Sequence, residues 1–311
     1  MARRALGEAT LAVVQAVGVL AADPWLVACS GGADSLALAW AAHHVAARRG
    51  TPVRALVVDH GLQAGSDAVA AAVRARLAGF GMDAAVATVI VGDRGAGPEA
   101  SARDARYGAL SDAAAPGERV LLGHTRDDQA ETVLLGLARG AGLRALSGMP
   151  AERGALRRPL LGLTRATTAA ACAELGLEPW ADPMNADRRY ARVRVREVVL
   201  PVMEAELGPG IRDALARSAT LLGEASAVVS ALAGDTDPEL DGVCMHLQGL
   251  APGLRRRLIL DWLRSAGVRD VATAHVDAVE TLVTRWRGQK GVDVPGGRVV
   301  RRDGRLHLVA G

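Results

Sequence analysis

Ten consecutive residues constrain this chain more than any other stretch: Leu26-Val27-Ala28-Cys29-Ser30-Gly31-Gly32-Ala33-Asp34-Ser35. The apolar run Leu26 to Cys29 has the length and composition of a buried parallel strand. It enters Ser-Gly-Gly directly, and beyond Asp34-Ser35 an Ala/Leu-rich stretch to Arg49 reads as a helix. Glycines at the turn let backbone N–H groups face inward, and the free amides of a helix start favour a negative ligand. The pattern is not a Walker loop, because the spacing is short and no Lys follows the second glycine. A plain Gly-rich strand-to-helix turn is the competing reading.

The remainder of the first two hundred residues repeats this strand-then-helix grammar. Val53 to Val58 reads as a second strand ending in Asp59-His60-Gly61, followed by a helix over Ser66 to Ala78 with Ser66 as its N-cap. Ala84 to Val91 reads as a third strand, Gly92 to Pro98 as a loop and Ala100 to Ala114 as a helix. Arg119 to Gly123 reads as a fourth strand ending at His124, and Asp127 to Arg139 as the next helix. An amphipathic helix over Ala2 to Val17 precedes them. This alternation predicts an α/β fold, a doubly wound and mostly parallel sheet covered on both faces. In such a sheet ligands sit at the carboxyl ends of the strands. Ser30 to Ser35, Asp59 to Gly61 and His124 to Asp128 all fall there.

The first of these clusters, Ser30 to Ser35, resembles the PP-loop of the N-type ATP pyrophosphatases, which split ATP into AMP and pyrophosphate. The fold implied is that of the adenine nucleotide alpha hydrolases. The resemblance narrows when further segments are taken in order: Val58 to Leu62, Glu99 to Tyr107, Gly123 to Thr132, Arg158-Pro159-Leu160-Leu161 and Asp182-Pro183-x-Asn185. Together they resemble the tRNA(Ile)-lysidine synthetase (TilS) family over roughly residues 25 to 205. That family implies adenylation of the C2 oxygen of the wobble cytidine in a CAU anticodon, with release of pyrophosphate. Free L-lysine then attacks C2 through its ε-amine and expels AMP, leaving lysidine in tRNA(Ile).

Carried over residue by residue, the resemblance implies that Ser30, Gly31, Gly32, Ala33, Asp34 and Ser35 bind ATP, with Asp34 organising Mg²⁺. It implies a catalytic role for Asp34, Arg103, His124 and Asp128. Carboxylates at 127 and 128 are equally the residue type that caps a helix. A neutral His124 suits either a hydrogen bond to the base or acceptance of a proton from the amine. Arg103 is placed to offset charge at the reacting phosphate; a helix salt bridge is the plainer alternative. Arg192, Arg194 and Arg196 match the family's late basic stretch, except that Val193 stands where the family usually has Asn.

Arginine dominates the basic residues: 36 of the 37 Lys and Arg are Arg, Lys290 being the exception. Six fall between Arg139 and Arg165 against the single Glu152, and five more between Arg188 and Arg196. Guanidinium forks in such runs suit RNA backbone and ATP phosphates, although a solvated surface in an arginine-rich protein accounts for them too. Cys29, Cys172 and Cys244 are widely spaced, which argues against a disulfide framework, a zinc ribbon or a cysteine-dependent thiolation enzyme. No apolar span is long enough for a membrane, and the expectation is a cytoplasmic protein. Amide-forming PP-loop enzymes and a non-catalytic nucleotide- or RNA-binding protein are the alternatives, and the family is compatible with a homodimer.

Pro201 and Gly208-Pro209-Gly210 read as the end of the catalytic domain (1–207). A linker helix (208–233) follows, then a small α+β domain (234–311) expected to recognise tRNA. Within it, Asp235 to Asp241 reads as an acidic loop, Leu254 to Ser265 and His275 to Trp286 as helices. Three short strands end the chain, the last two joined at Asp303-Gly304, a strong hairpin signal.

Overall fold

The computed structural model describes residues 5–61, 63, 65–90, 98–235 and 242–310. The start of the first helix reading, Leu62, the loop read over Gly92 to Pro98 (all but Pro98) with Val91 before it, and the acidic loop beyond Asp235 lie outside the described residues. The chain divides into two compact units, Met1–Leu137 with Gly148–Ala219, and Ala138–Ser147 with Thr220–Gly311.

The first unit opens with α1 (Glu8–Gly18), β1 (Trp25–Ala28), α2 (Ala33–Arg49), β2 (Val53–Asp59), α3 (Ser66–Gly79) and β3 (Ala84–Thr88). It continues with α4 (Pro98–Ala113), β4 (Arg119–Leu121) and α5 (Arg126–Leu137). The short α6 (Leu143–Leu146) belongs to the second unit. The first then resumes with β5 (Glu152–Arg153), β6 (Leu156–Arg157), α7 (Arg165–Glu174), α8 (Ala191–Arg194) and α9 (Leu200–Leu207), and α10 (Ile211–Gly234) runs from the first unit into the second. The sheet order is β3-β2-β1-β4-β6-β5, parallel throughout except for the β5–β6 pair at one edge.

Strand alternation explains why helices cover both faces. Trp25, Val27 and Cys29 turn to a core shared with residues of α1, α2, α3 and α7, while Leu26 faces the other way with Leu56, Val120 and Leu110 of α4. The doubly wound sheet read from the sequence is therefore the observed one. Three details differ. The cap position of α3 is Gly65, in a left-handed conformation, so Ser66 begins the helix without capping it. The strands β5 and β6 and the helix α7 carry too few or too mixed apolar residues to announce themselves. Pro201 does not end a helix: residues 195–199 form a π-helical turn that joins α8 to α9, and Pro201 sits in the first turn of α9.

The second unit contains α11 (Cys244–Gly249), α12 (Pro252–Ser265) and α13 (Thr273–Thr284), packed with an antiparallel sheet β7 (Val292–Val294), β8 (Gly297–Arg302) and β9 (Arg305–Ala310). Asp303 and Gly304 both adopt positive φ, 48° and 74°, as the two-residue hairpin between β8 and β9 requires. Among the described residues no helix is long and apolar enough to cross a membrane.

Candidate active site

The turn after β1 is built around one hydroxyl. Ser35 Oγ accepts from the Ser30 N–H at 3.2 Å and donates to the Gly32 carbonyl at 3.0 Å, closing the loop on itself. Gly31 adopts φ +86°, and its carbonyl accepts from the Trp180 N–H at 2.9 Å. A Cβ at position 31 would stand 2.4 Å from Val73 Cγ2. Gly32 is the N-cap of α2 and no side chain caps that helix, so its first amides are left for a ligand. Ser30 is exposed beside them. Gly31→Ala is expected to cost about 2–4 kcal/mol, a left-handed backbone penalty plus overpacking of a tight core; a urea titration reads this directly, and nucleotide affinity should fall with it.

The end of β4 meets this loop closely. A Cβ on Gly123 would lie 3.1 Å from Asp34 C and O and from Ser35 N, so a side chain there would press on the backbone of the first turn of α2. His124 follows at once. Burial drives its pKa down to about 3; Asp128 opposes that shift, while Arg106, Arg158 and Arg103 add to it. The imidazole is neutral, and a group so weakly basic serves as a hydrogen-bonding partner instead of a proton store. His124 Nδ1 and His60 Nδ1 are both buried without a hydrogen-bond partner among the described residues.

Asp34 lies in the first turn of α2. Its pKa is pushed up to about 6, chiefly by burial; the Thr168 hydroxyl and Arg165 pull the other way, and Asp128 and Asp127 push further up. Thr168 Oγ1 donates to Asp34 Oδ1. Asp128 occupies the third position of α5, where its Oδ2 accepts from the Thr125 N–H at 2.8 Å and the Thr125 hydroxyl at 2.9 Å. This is a capping arrangement, so the plain structural role of that carboxylate is real. Its other oxygen accepts from Arg165 Nη2 at 3.0 Å. Burial works to raise Asp128, and Arg165 with the Thr125 N–H outweighs it, holding the acid below its ordinary range. Asp127 turns aside to the Arg165 N–H at 2.8 Å and to Arg212 at 3.3 Å.

Among the described residues no group of three metal-ligating side chains converges tightly enough to cage an ion. Magnesium takes one or two carboxylates and completes its shell with water and phosphate oxygens. Asp34, beside the free amides of α2, has the chemistry for such a contact.

The arginines divide in a way the sequence did not disclose. Arg192 and Arg196 are directed inward to Glu131, at 3.7 and 2.7 Å, and Glu131 is fully buried. Arg194 donates to the Arg188 and Arg189 carbonyls. Arg189 pairs with Asp187 and Arg188 with Glu197. The basic run at 188–196 thus has partners within its own unit, while Arg188 and Arg189 keep 67% and 86% of their side chains exposed. Arg158 is buried at 4% exposure, donating to the Pro150 carbonyl. Arg103 is exposed on α4, its guanidinium carbon 5.5 Å from the Tyr107 ring centroid. Asp182 accepts from Gln63 Nε2 at 3.0 Å, tying its loop to the segment after β2. Sequence reasoning missed Arg165, Thr168, Glu131 and Gly123. Only the i, i+3 spacing of 165 and 168 in a Thr-started helix hinted at a shared face.

A parallel α/β sheet with a glycine turn, uncapped helix amides and acidic residues at its carboxyl edge defines an ATP-binding protein of the PP-loop class. Residues 8–203 match the PP-loop domain model, and residues 244–307 match the TilS substrate binding domain. The chain is 52% identical over 305 residues to the tRNA(Ile)-lysidine synthase of Salinispora arenicola (strain CNS-205), covering 93% of this chain and 91% of that one. It is 50% identical over 318 residues to that of Cutibacterium acnes (strain DSM 16379 / KPA171202), covering 99% of each. The chain belongs to the tRNA(Ile)-lysidine synthase family, ATP-dependent ligases that modify tRNA. Its fold is shared with the U34-tRNA thiolase NcsA from Methanococcus maripaludis, at a TM-score of 0.55 and 17% identity over 70% of this chain and 79% of that one.

Proposed function

We propose that this chain transfers free L-lysine to the wobble cytidine of a CAU-anticodon tRNA(Ile), through an adenylated base. The observation that carries the reading is the convergence of Asp34, His124 and Asp128 at one sheet edge, beside an anion-binding loop, in a chain matched end to end by family members. The loop amides from Gly31 to Ser35 take the phosphates that leave as pyrophosphate, and Asp34 would hold the Mg²⁺ that, when bound, would neutralise phosphate charge. The cytidine C2 oxygen attacks the α-phosphorus of ATP; the bond to the β-phosphate oxygen breaks. Arg103 offsets the charge on that phosphate. Neutral His124 hydrogen-bonds the reacting base, and Asp128 holds the ammonium end of lysine near C2. The ε-ammonium gives up a proton to solvent, and the neutral lysine nitrogen then bonds to C2 as the C2–O bond breaks and AMP departs with the original oxygen.

The domains divide the work: residues 1–207 perform the chemistry, 208–233 link, and 234–311 select the tRNA. A homodimer is compatible with this scheme. The test is incubation with ATP, labelled lysine and tRNA(Ile) bearing CAU. Label should enter the tRNA with AMP and pyrophosphate released in equal amounts; nucleotide binding without lysine-dependent AMP release would leave a binding protein instead. A requirement for a sulfur donor in place of lysine would point to thiolation, which the three buried, free cysteines do not favour.

A further inference from the structure

The first turn of α7 is an unexpected place for a cation. Arg165 is the first residue of that helix, where the aligned peptide dipoles disfavour positive charge. The helix is capped without it: Thr164 Oγ1 accepts from the Thr167 N–H at 3.1 Å. The Arg165 guanidinium instead reaches three carboxylates from two other helices. Its Nε lies 3.7 Å from Asp34 Oδ2, its Nη2 3.0 Å from Asp128 Oδ1, and Nη1 and Nη2 both 3.3 Å from Glu131 Oε1. One turn on, Thr168 fixes the other oxygen of Asp34.

These three acids are unequally supplied with positive charge. Glu131 also has Arg192 and Arg196. Asp34 and Asp128 have, among the described residues, Arg165 alone as an arginine ion-pair partner. The guanidinium therefore stands between one fully compensated carboxylate and two that depend on it. It also stands where the proposed reaction must seat a cation, between the acid that follows the phosphate loop and the acid beside His124.

We propose that Arg165 is a positioning residue: it spaces Asp34 and Asp128 for the reaction and yields them to an incoming substrate cation by falling back on Glu131. This deepens the lysine-transfer reading and rests on it for what the site does. The exchange strands no charge, since Arg165 keeps Glu131 while the newcomer takes its place between the aspartates. The cation is either a divalent metal or the ε-ammonium of lysine; both are compact, positive and drawn by the same pair of acids.

Arg165→Met retains an apolar stem and removes the guanidinium. With nucleotide and tRNA omitted, Mn²⁺ alone and lysine alone are titrated against wild type and variant. The resident competitor being gone, affinity for one of the two should rise about tenfold, and which one rises names the occupant. In full reactions kcat for pyrophosphate release should fall about a hundredfold, as misplaced reacting groups do, with KM for ATP little changed. Arg165→Lys, keeping the charge but not the fork, should recover stability and part of kcat. A residue that merely ties helices together would lose stability in the Met variant with no gain in affinity for either cation; that result overturns the proposal. If the Met variant does not fold, Arg165→Gln, which also lacks the charge but keeps a hydrogen-bonding end, carries the same titrations, and unchanged affinity for both cations again overturns it. Because the titrations use no tRNA, they stand even if lysine transfer to tRNA is not observed, and failure of the two readings is told apart.

Discussion

Asp34→Asn should inactivate the protein and make it more stable. Burial penalises the charged form of Asp34, so its pKa rises from 3.8 to about 6. A raised carboxyl pKa means that folding favours the protonated acid. Its contribution is intact below about pH 4 and is lost as pH climbs through 6. Asparagine keeps the shape and an oxygen for Thr168 but never ionises. The variant should match wild type near pH 4 and exceed it by about 2–3 kcal/mol at pH 7.5, the free-energy equivalent of the shift. Denaturant titrations at the two pH values check this. Pyrophosphate release should meanwhile drop by about 10²–10³, the usual cost of deleting a preorganised electrostatic contact. A stable, dead variant is what a functional carboxylate predicts; loss of both properties would mark Asp34 as structural.

Glu131→Ala should act in the opposite sense and destabilise strongly. Glu131 is fully buried, and Arg165, Arg192 and Arg196 are each about three-quarters buried around it. Removing one partner of such a cluster leaves uncompensated charge in a poorly solvated place, typically at a cost of 3–5 kcal/mol. The arginines retain some water, which places the expected loss near the lower end, about 3 kcal/mol. Urea unfolding measures it. If Arg192 and Arg196 were instead free to face RNA, the same change would cost under about 1 kcal/mol, as for surface pairs.

The chain's grammar was legible wherever local chemistry decided the outcome. The strand β1, the glycine turn and the helix α2 follow from an apolar run, two glycines and a long Ala/Leu stretch, and each formed within a residue or two of where it was read. The carboxyl-edge position of His124 and Asp128 followed from strand–helix alternation alone. What escaped was partnership over long separations. Arg192 and Arg196 lie more than sixty residues from Glu131, so nothing local in the basic run marked its buried acid partner. Arg165 sat inside another arginine-rich stretch with nothing nearby to show that it faces four acidic residues. The edge strands β5 and β6 are two residues each, too short for any periodicity to register. Gly123 was visible as a letter, but its purpose depends on a backbone approach that only the fold creates.

The π-helical turn at residues 195–199 also sets a phase. One extra residue in a helix turns everything beyond it by about 100° relative to an uninterrupted α-ladder. Upstream, Arg192 must point at Glu131; downstream, Leu200 is completely buried. An unbroken α-helix from 191 to 207 would satisfy one of these and misdirect the other, and Pro201 would press on the carbonyl four residues back. The wide turn works as a clutch between two gears, letting the acid-facing half and the core-facing half each keep its own alignment. Removing a single residue there would leave every side chain chemically present and the two halves out of step.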